Sequence, residues 1–230
     1  MAILAIIPAR GGSKRIPRKN IKNFLGKPII AYSIKAALDS GVFDEVMVST
    51  EDEEIAEIAR QYGAKVPFMR SAFAASDTAV DKDVLFEVLG EYQKRGQNFD
   101  YLVEIYPCAP FVTPQKLRDM VKMLQENDID SVLPVCIYSN APQRSLVMRD
   151  GKLKRLYPQY EHARSQDMES IYYECGQCWG LNVKKYLNHP DDLEHLPFLI
   201  PEGDFQDVDT MEDWELAEFK YQYMQSKGKV

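Results

Sequence analysis

The feature that most constrains this 230-residue chain is a regular alternation of short apolar runs with segments of helical period. Ile3 to Ile7 is an unbroken apolar run, the pattern of a strand covered on both faces. A polar, glycine-containing loop follows. Gly26-Lys27-Pro28 is then expected to open a helix with Ile30, Ile34, Ala37 and Leu38 on its buried stripe and Gly41 just past its end. Glu45 to Ser49 is a second strand, and Thr50 and Glu53 have capping-box spacing ahead of a helix carrying Ile55, Ile58, Ala59 and Tyr62. Lys65 to Met69 is expected as a third strand, Val84 to Tyr92 as a third helix and Tyr101 to Tyr106 as a fourth strand. Thr113-Pro114 caps a fourth helix with Leu117, Met120, Val121 and Leu124, and Ser131 to Val135 is a fifth strand. This order calls for an α/β fold, a mostly parallel doubly wound sheet with right-handed crossovers.

The alternation stops at Cys136. From there to about Trp179 no helical period is visible, and Asp150-Gly151 between two short runs signals a β-hairpin. The expected organisation is a single domain over 1–230, with 136–180 an insertion serving as a lid, an oligomer contact or both. The chain resumes with Phe198 to Ile200, then Gln206 to Thr210, then a terminal helix marked by Trp214, Ala217, Tyr221 and Met224.

Charge narrows the function. The formal net charge is −7, which argues against a general nucleic-acid binder. Yet eight basic residues fall between Arg10 and Lys35, before the first acidic residue at Asp39, which suggests a local anionic ligand. No apolar run approaches the roughly 20 residues that cross a bilayer. Met1 to Ile7 is too short and lacks the basic flank of a signal peptide, so a cytoplasmic address is expected. The four cysteines, Cys108, Cys136, Cys175 and Cys178, are too scattered for a disulfide framework. Cys175 and Cys178 have C-x-x-C spacing, but no second pair completes a zinc site, and the position is too late for a thioredoxin-like motif.

In open parallel sheets ligands bind beyond the carboxyl ends of the strands. The loop after the first strand, Pro8 to Asn20, carries Gly11 and Gly12, whose flexibility lets backbone N–H groups face phosphate oxygens. Ser13 adds a hydroxyl, and Arg10, Lys14 and Lys19 add charge. The loop is neither G-x-x-x-x-G-K-[ST] nor G-x-G-x-x-G, so the P-loop and dinucleotide readings drop away, and physically it is a good, not unique, triphosphate-binding loop. Near the other end of the chain, Asp207 and Asp209 stand at i and i+2 of an extended segment and can approach one Mg²⁺ together. Capping of the terminal helix would explain one of these carboxylates but not both.

Ile7 to Asn20 resembles the signature loop of the sialic-acid and related sugar-acid cytidylyltransferases. The resemblance continues through Gly26 to Pro28, Val48 to Thr50, the Arg70 to Asp77 loop and the late Asp-x-Asp with Glu212-Asp213-Trp214. Tyr106 to Pro110 and Arg164 to Asp167, followed by Gly176-Gln177, look most like the pseudaminic acid cytidylyltransferases. Sialic-acid enzymes show Gln-Pro-Thr-Ser-Pro where Tyr106 to Pro110 stand. The resemblance implies a Rossmann-like nucleotide-diphospho-sugar transferase fold and transfer of CMP from CTP to a nonulosonic acid. It implies nucleotide binding by Ala9 to Lys14, Lys19, Asn20, Arg70 and Ala75, Ser76 and Asp77. It further implies catalysis by Arg10 and Lys19 with Mg²⁺ on Asp207 and Asp209, and a homodimer paired through the insertion. The sugar carboxylate needs a cation, for which Arg164 is chosen, with Gln143 and Gln177 as neutral hydrogen-bond partners and Tyr106 as a further sugar contact. Legionaminic, neuraminic and deoxyoctulosonic acids are the alternative acceptors, and a nucleotide-binding regulatory module is the alternative of another class.

Overall fold

The computed structural model describes residues 1–229, and Val230, the end of the expected domain, lies outside the described residues. Strand β1 (Ile3–Pro8) enters the middle of the sheet, with only Pro8 less than fully buried. Two short strands, β2 (Asn23–Phe24) and β3 (Lys27–Pro28), form a hairpin, and helix α1 (Ile30–Ser40) follows it. The sequence placed Gly26 at a helix start. Leu25 at φ 47° and Gly26 at φ 100° make it a turn instead, with both residues in the left-handed region. Gly41 does end α1, at φ 69°.

Strand β4 (Glu45–Ser49) lies parallel to β1, and helix α2 (Glu53–Gln61) follows. Its N-cap is Asp52, which accepts from the Ile55 N–H at 3.0 Å; the expected cap, Thr50, is two residues early and accepts from Asp52 N–H. The strand expected at 65–69 shrinks to one parallel bridge between Lys65 and Met47. Pro67 has no N–H to donate, so the ladder cannot continue. Helix α3 (Asp81–Lys94), strand β5 (Tyr101–Ile105), helix α4 (Pro114–Glu126) and strand β6 (Ser131–Ile137) come next. Thr113 caps α4 as its sequence predicts, accepting from Lys116 N–H at 3.2 Å.

The hairpin at Asp150-Gly151 is present as β7 (Leu146–Arg149) and β8 (Lys152–Arg155), with φ of 52° and 70° at the turn. Among the described residues it pairs with no other strand. Strand β9 (Tyr172–Glu174) returns along β6. Strand β10 (Cys178–Asn182) then runs antiparallel between β5 and β6, where no strand was expected. The stretch 136–180 is therefore not an appended module: its last strand is central. Only 138–171 leaves the sheet, closed at its neck by Tyr138 N–H donating to Ile171 O at 3.0 Å. Helix α5 (Val183–Asn188), strand β11 (His195–Leu199) and helix α6 (Met211–Ser226) complete the chain.

The strand order is β11-β6-β10-β5-β1-β4, with β9 also on β6. All of the main strands but β9 and β10 point the same way. Ile3, Ala5, Ile7 and Val103 face one way and pack with α1, α2 and α4, while Leu4, Ile6 and Leu102 pack with α3 and α5. The sheet is thus doubly wound, and each fully buried Leu, Ile or Val adds about 1.5–3 kcal/mol relative to exposure. No helix among the described residues is long and apolar enough to cross a membrane.

Candidate active site

The carboxyl ends of β1 and β5 open into a cleft of about 670 Å³. The loop after β1 forms one wall, and its shape is set from the β4–α2 turn. Gly11 N–H donates to Glu51 Oε1 at 2.7 Å, and a Cβ at Gly11 would lie 2.5 Å from Asp52 Oδ2. Only glycine fits there. Here Glu51 takes the N–H that Gly11 was expected to turn to phosphate, and the residue serves close approach of the two loops. Gly12 is different, since a Cβ there would meet nothing within 4 Å. Arg18, in the left-handed region at φ 56°, bonds Asp52 with both of its terminal nitrogens and Glu54 with one. That conformation costs about 1–2 kcal/mol, which the two carboxylates offset.

From this loop Arg10, Ser13, Lys14, Lys19 and Asn20 line the cleft, whereas Ala9, Gly11 and Gly12 do not. Ala9 is buried, with its N–H on Ser49 O at 2.9 Å. Asn20 is buried too and fixes the loop by donating to Arg10 O at 2.9 Å. The opposite rim brings Arg70, Ser76 and Asp77, but Ala75 does not line the cleft. Arg70 is buried and anchored on β4, its Nε donating to Ser49 Oγ at 3.0 Å and a terminal nitrogen to Ser49 O at 2.6 Å. Asp77 joins the rims, accepting from Lys14 at 2.6 Å and Arg10 at 3.0 Å, and the Lys14 bond holds its carboxyl below the usual range.

The acidic pair reaches the same cleft. Asp207 and Asp209 both line it, and neither caps α6: Thr210 does, with Asp213 closing the capping box. Arg15 holds Asp209 through two contacts of 2.8 Å, and Lys19 donates to Val208 O at 2.7 Å while standing 3.7 Å from Asp209. Arg15 is a site residue that its place in the basic loop could have suggested. Asp207 is an exposed residue, but desolvation of its carboxyl in the cleft wall, and then the charge of Asp209, push it above the ordinary carboxylate range. A divalent cation relieves such a pair, so the residues fit Mg²⁺. Among the described residues no third His, Cys, Asp or Glu joins them, which leaves further ligands to a substrate.

Beside the cleft lies a recess of about 320 Å³ that shares Asp81, Tyr106 and Gly176 with it. Trp179, Leu193 and His195 form its far side, and none of them was singled out from the sequence as a site residue. Tyr106, one of the expected sugar contacts, lines both spaces, and burial pushes its hydroxyl well up. The other predicted sugar contacts do not line either space. Gln143 is buried in the insertion and donates to Glu169 O at 2.8 Å. Gln177 is buried, and its backbone O accepts from Tyr106 N–H at 2.9 Å, so it supports Tyr106 from behind. Arg164 is exposed and pairs with Asp167 at 2.9 Å, because the insertion carries it away from the strand ends. Burial pushes the Cys175 and Cys178 thiols up to about 12, the reverse of what a reactive or zinc-bound thiolate needs.

The fold is that of a nucleotidyltransferase. CMP:2-keto-3-deoxy-manno-octonic acid synthetase, solved in complex with CTP, superposes with a TM-score of 0.71 at 17% identity, over 98% of this chain and 100% of that one. A family model described as cytidylyltransferase matches residues 4–187. This chain belongs to the cytidylyltransferase family and is a CTP-using transferase. It is similar to the pseudaminic acid cytidylyltransferase of Campylobacter jejuni, 36% identical over 96% of this chain and 97% of that protein. It is also similar to the CMP-N,N'-diacetyllegionaminic acid synthase of Legionella pneumophila, 34% identical over 95% of each.

Proposed function

We propose that this enzyme transfers CMP from CTP to the anomeric hydroxyl of pseudaminic acid, in the cytoplasm, and releases pyrophosphate. The observation that carries this reading is the meeting of a cationic loop and a carboxylate pair in one cleft, with a recess opening beside them. The triphosphate lies along Ser13, Lys14 and the free side of the loop, and Arg10 must leave Asp77 to meet it. The anomeric oxygen attacks the α-phosphorus as its proton passes to water, the bond to the bridging oxygen breaks, and the electrons go to pyrophosphate. Arg10 and Lys19 stabilise that leaving charge. Asp207 and Asp209 would hold Mg²⁺, which would supply Lewis-acid polarisation of the phosphate. Arg70 and Ser76 border the base, and the recess, entered past Tyr106, receives the sugar.

The insertion pairs two copies in this reading. Leu146, Met148 and Leu153 on its hairpin are 51%, 69% and 63% exposed, more apolar surface than one small hairpin covers. Arg164 meets the sugar carboxylate in the dimer. A pyrophosphate-release screen of CTP against pseudaminic, legionaminic, N-acetylneuraminic and deoxyoctulosonic acids tests the assignment. Pseudaminic acid should give the highest kcat/KM; preference for another acid overturns the acceptor, and no release with any of them overturns the activity.

A further inference from the structure

Glu104 lies in the middle of β5 with no surface exposed, and neither carboxyl oxygen has a hydrogen-bond partner among the described residues. It is flanked by Ile6 on β1 and Trp179 on β10. Strand alternation puts its side chain on the Leu102 face, among the residues packed by α3 and α5. Leaving a carboxylate unpaired in such a place is costly, and the group keeps its proton instead. Burial, and then the charge of Asp81, push the carboxyl up to about 8 against the pull of Arg70. The titratable groups around it on that face are Asp81 at the start of α3, Arg70, Tyr106 at the end of β5 and Tyr186 on α5, with Glu51 and Glu87 also acting on Arg70. The neighbouring part of β1 is apolar. Asp81 and Arg70 line the nucleotide cleft, and Arg70 is tied to Ser49, so it cannot swing inward to neutralise a second anion.

We propose that Glu104 is a positioning residue for nucleotide binding that works by holding a proton. Neutral, it adds no charge to a cleft wall where Arg70 already meets the carboxylates of Glu51, Glu87 and Asp81; ionised, it makes that wall more negative and weakens the hold on CTP. A charge buried in the wall is poorly screened by salt, so the triphosphate feels it. The inference rests on the nucleotide assignment of the cleft.

Calorimetric titration with CTP alone, at about pH 7 and about pH 9, tests it. In the parent enzyme Kd should rise about tenfold between the two, as expected for one ionisation near 8. In Glu104→Gln the same ratio should stay within about twofold. An equal rise in parent and variant overturns the proposal, as does a flat parent profile. No CTP binding at either pH overturns the nucleotide assignment itself, a different result. A second measurement does not depend on a ligand. The carboxyl holds its proton more tightly folded than unfolded, so its contribution to stability falls as pH rises from 4.5 to about 8 and is constant beyond. The Tm of the parent should drop relative to Glu104→Gln across that window. Glu104→Met, which fills similar volume and does not titrate, should behave as the amide does. Parallel courses in parent and variants overturn the proposal.

Discussion

At the scale of single residues the cleft is a set of competing ion pairs. Asp77 holds Arg10 and Lys14, and Asp209 holds Arg15, so in the proposed reading a triphosphate and its metal would displace carboxylate partners that already satisfy these cations. Such pairs are open to water and weakly held, and a triphosphate brings more charge to the same cations, so the exchange is favourable. Two predictions belong here. Asp207→Asn and Asp209→Asn should each lower kcat about 10²-fold or more while leaving the far-ultraviolet dichroism unchanged, because each removes a hard anionic metal ligand. Near-parental, Mg²⁺-dependent turnover in both variants refutes the metal site. Lys19→Ala and Arg10→Ala should depress kcat more than they raise KM for CTP, if their charge serves the departing pyrophosphate. Steady-state kinetics that moved KM alone would make them holders of the nucleotide only.

At the scale of elements, the site hangs on how the loop after β1 meets the turn after β4 and how β10 enters the sheet. Gly180 on β10 lets α4 rest directly on the strand: a Cβ there would stand 2.9 Å from Leu124 Cδ1 and 3.1 Å from Met120 Cγ. Gly180→Ala should therefore cost about 1–3 kcal/mol, read as a lowered Tm in thermal denaturation, since both side-chain ends must shift. An unchanged Tm would show that α4 is free to move. The sequence carried the parts of the site that are contiguous in it. Pro8 to Asn20 and Asp207-x-Asp209 each hold several ligands within a few residues, so their chemistry shows without the fold. Lys65 to Met69 misled because Pro67 cancels a strand that hydrophobicity suggests. Glu51 on Gly11, Arg15 on Asp209 and the recess walled by Trp179 were not legible, since each depends on residues brought together over long separations. Strand β10 was missed for the same reason: five residues with a glycine at their centre carry little period, and only their two neighbours make them a central strand.

At the scale of the whole molecule the insertion is the part that leaves the sheet. Among the described residues its hairpin pairs with no further strand, and Arg164, the cation chosen for the sugar carboxylate, stands outside the cleft. Pairing of two copies through this region should give a dimer mass by light scattering at working concentration; a monomer mass removes it. Arg164→Lys should then raise the sugar KM with CTP binding unchanged, because an ammonium cannot make the forked contact of a guanidinium. Equal kinetics in the two proteins would leave Arg164 as a surface residue.

Strand β10 has a further consequence, for how the protein is made. Strands β5 and β6 leave the ribosome tens of residues before Cys178–Asn182, the strand that separates them. Until that segment emerges, each presents an open edge in a nascent chain, and open edges are templates for pairing with the wrong neighbour. A copy truncated ahead of β10 is left as two half-sheets with nothing between them, so synthesis arrested near residue 175 should yield an aggregation-prone fragment and not a smaller working enzyme.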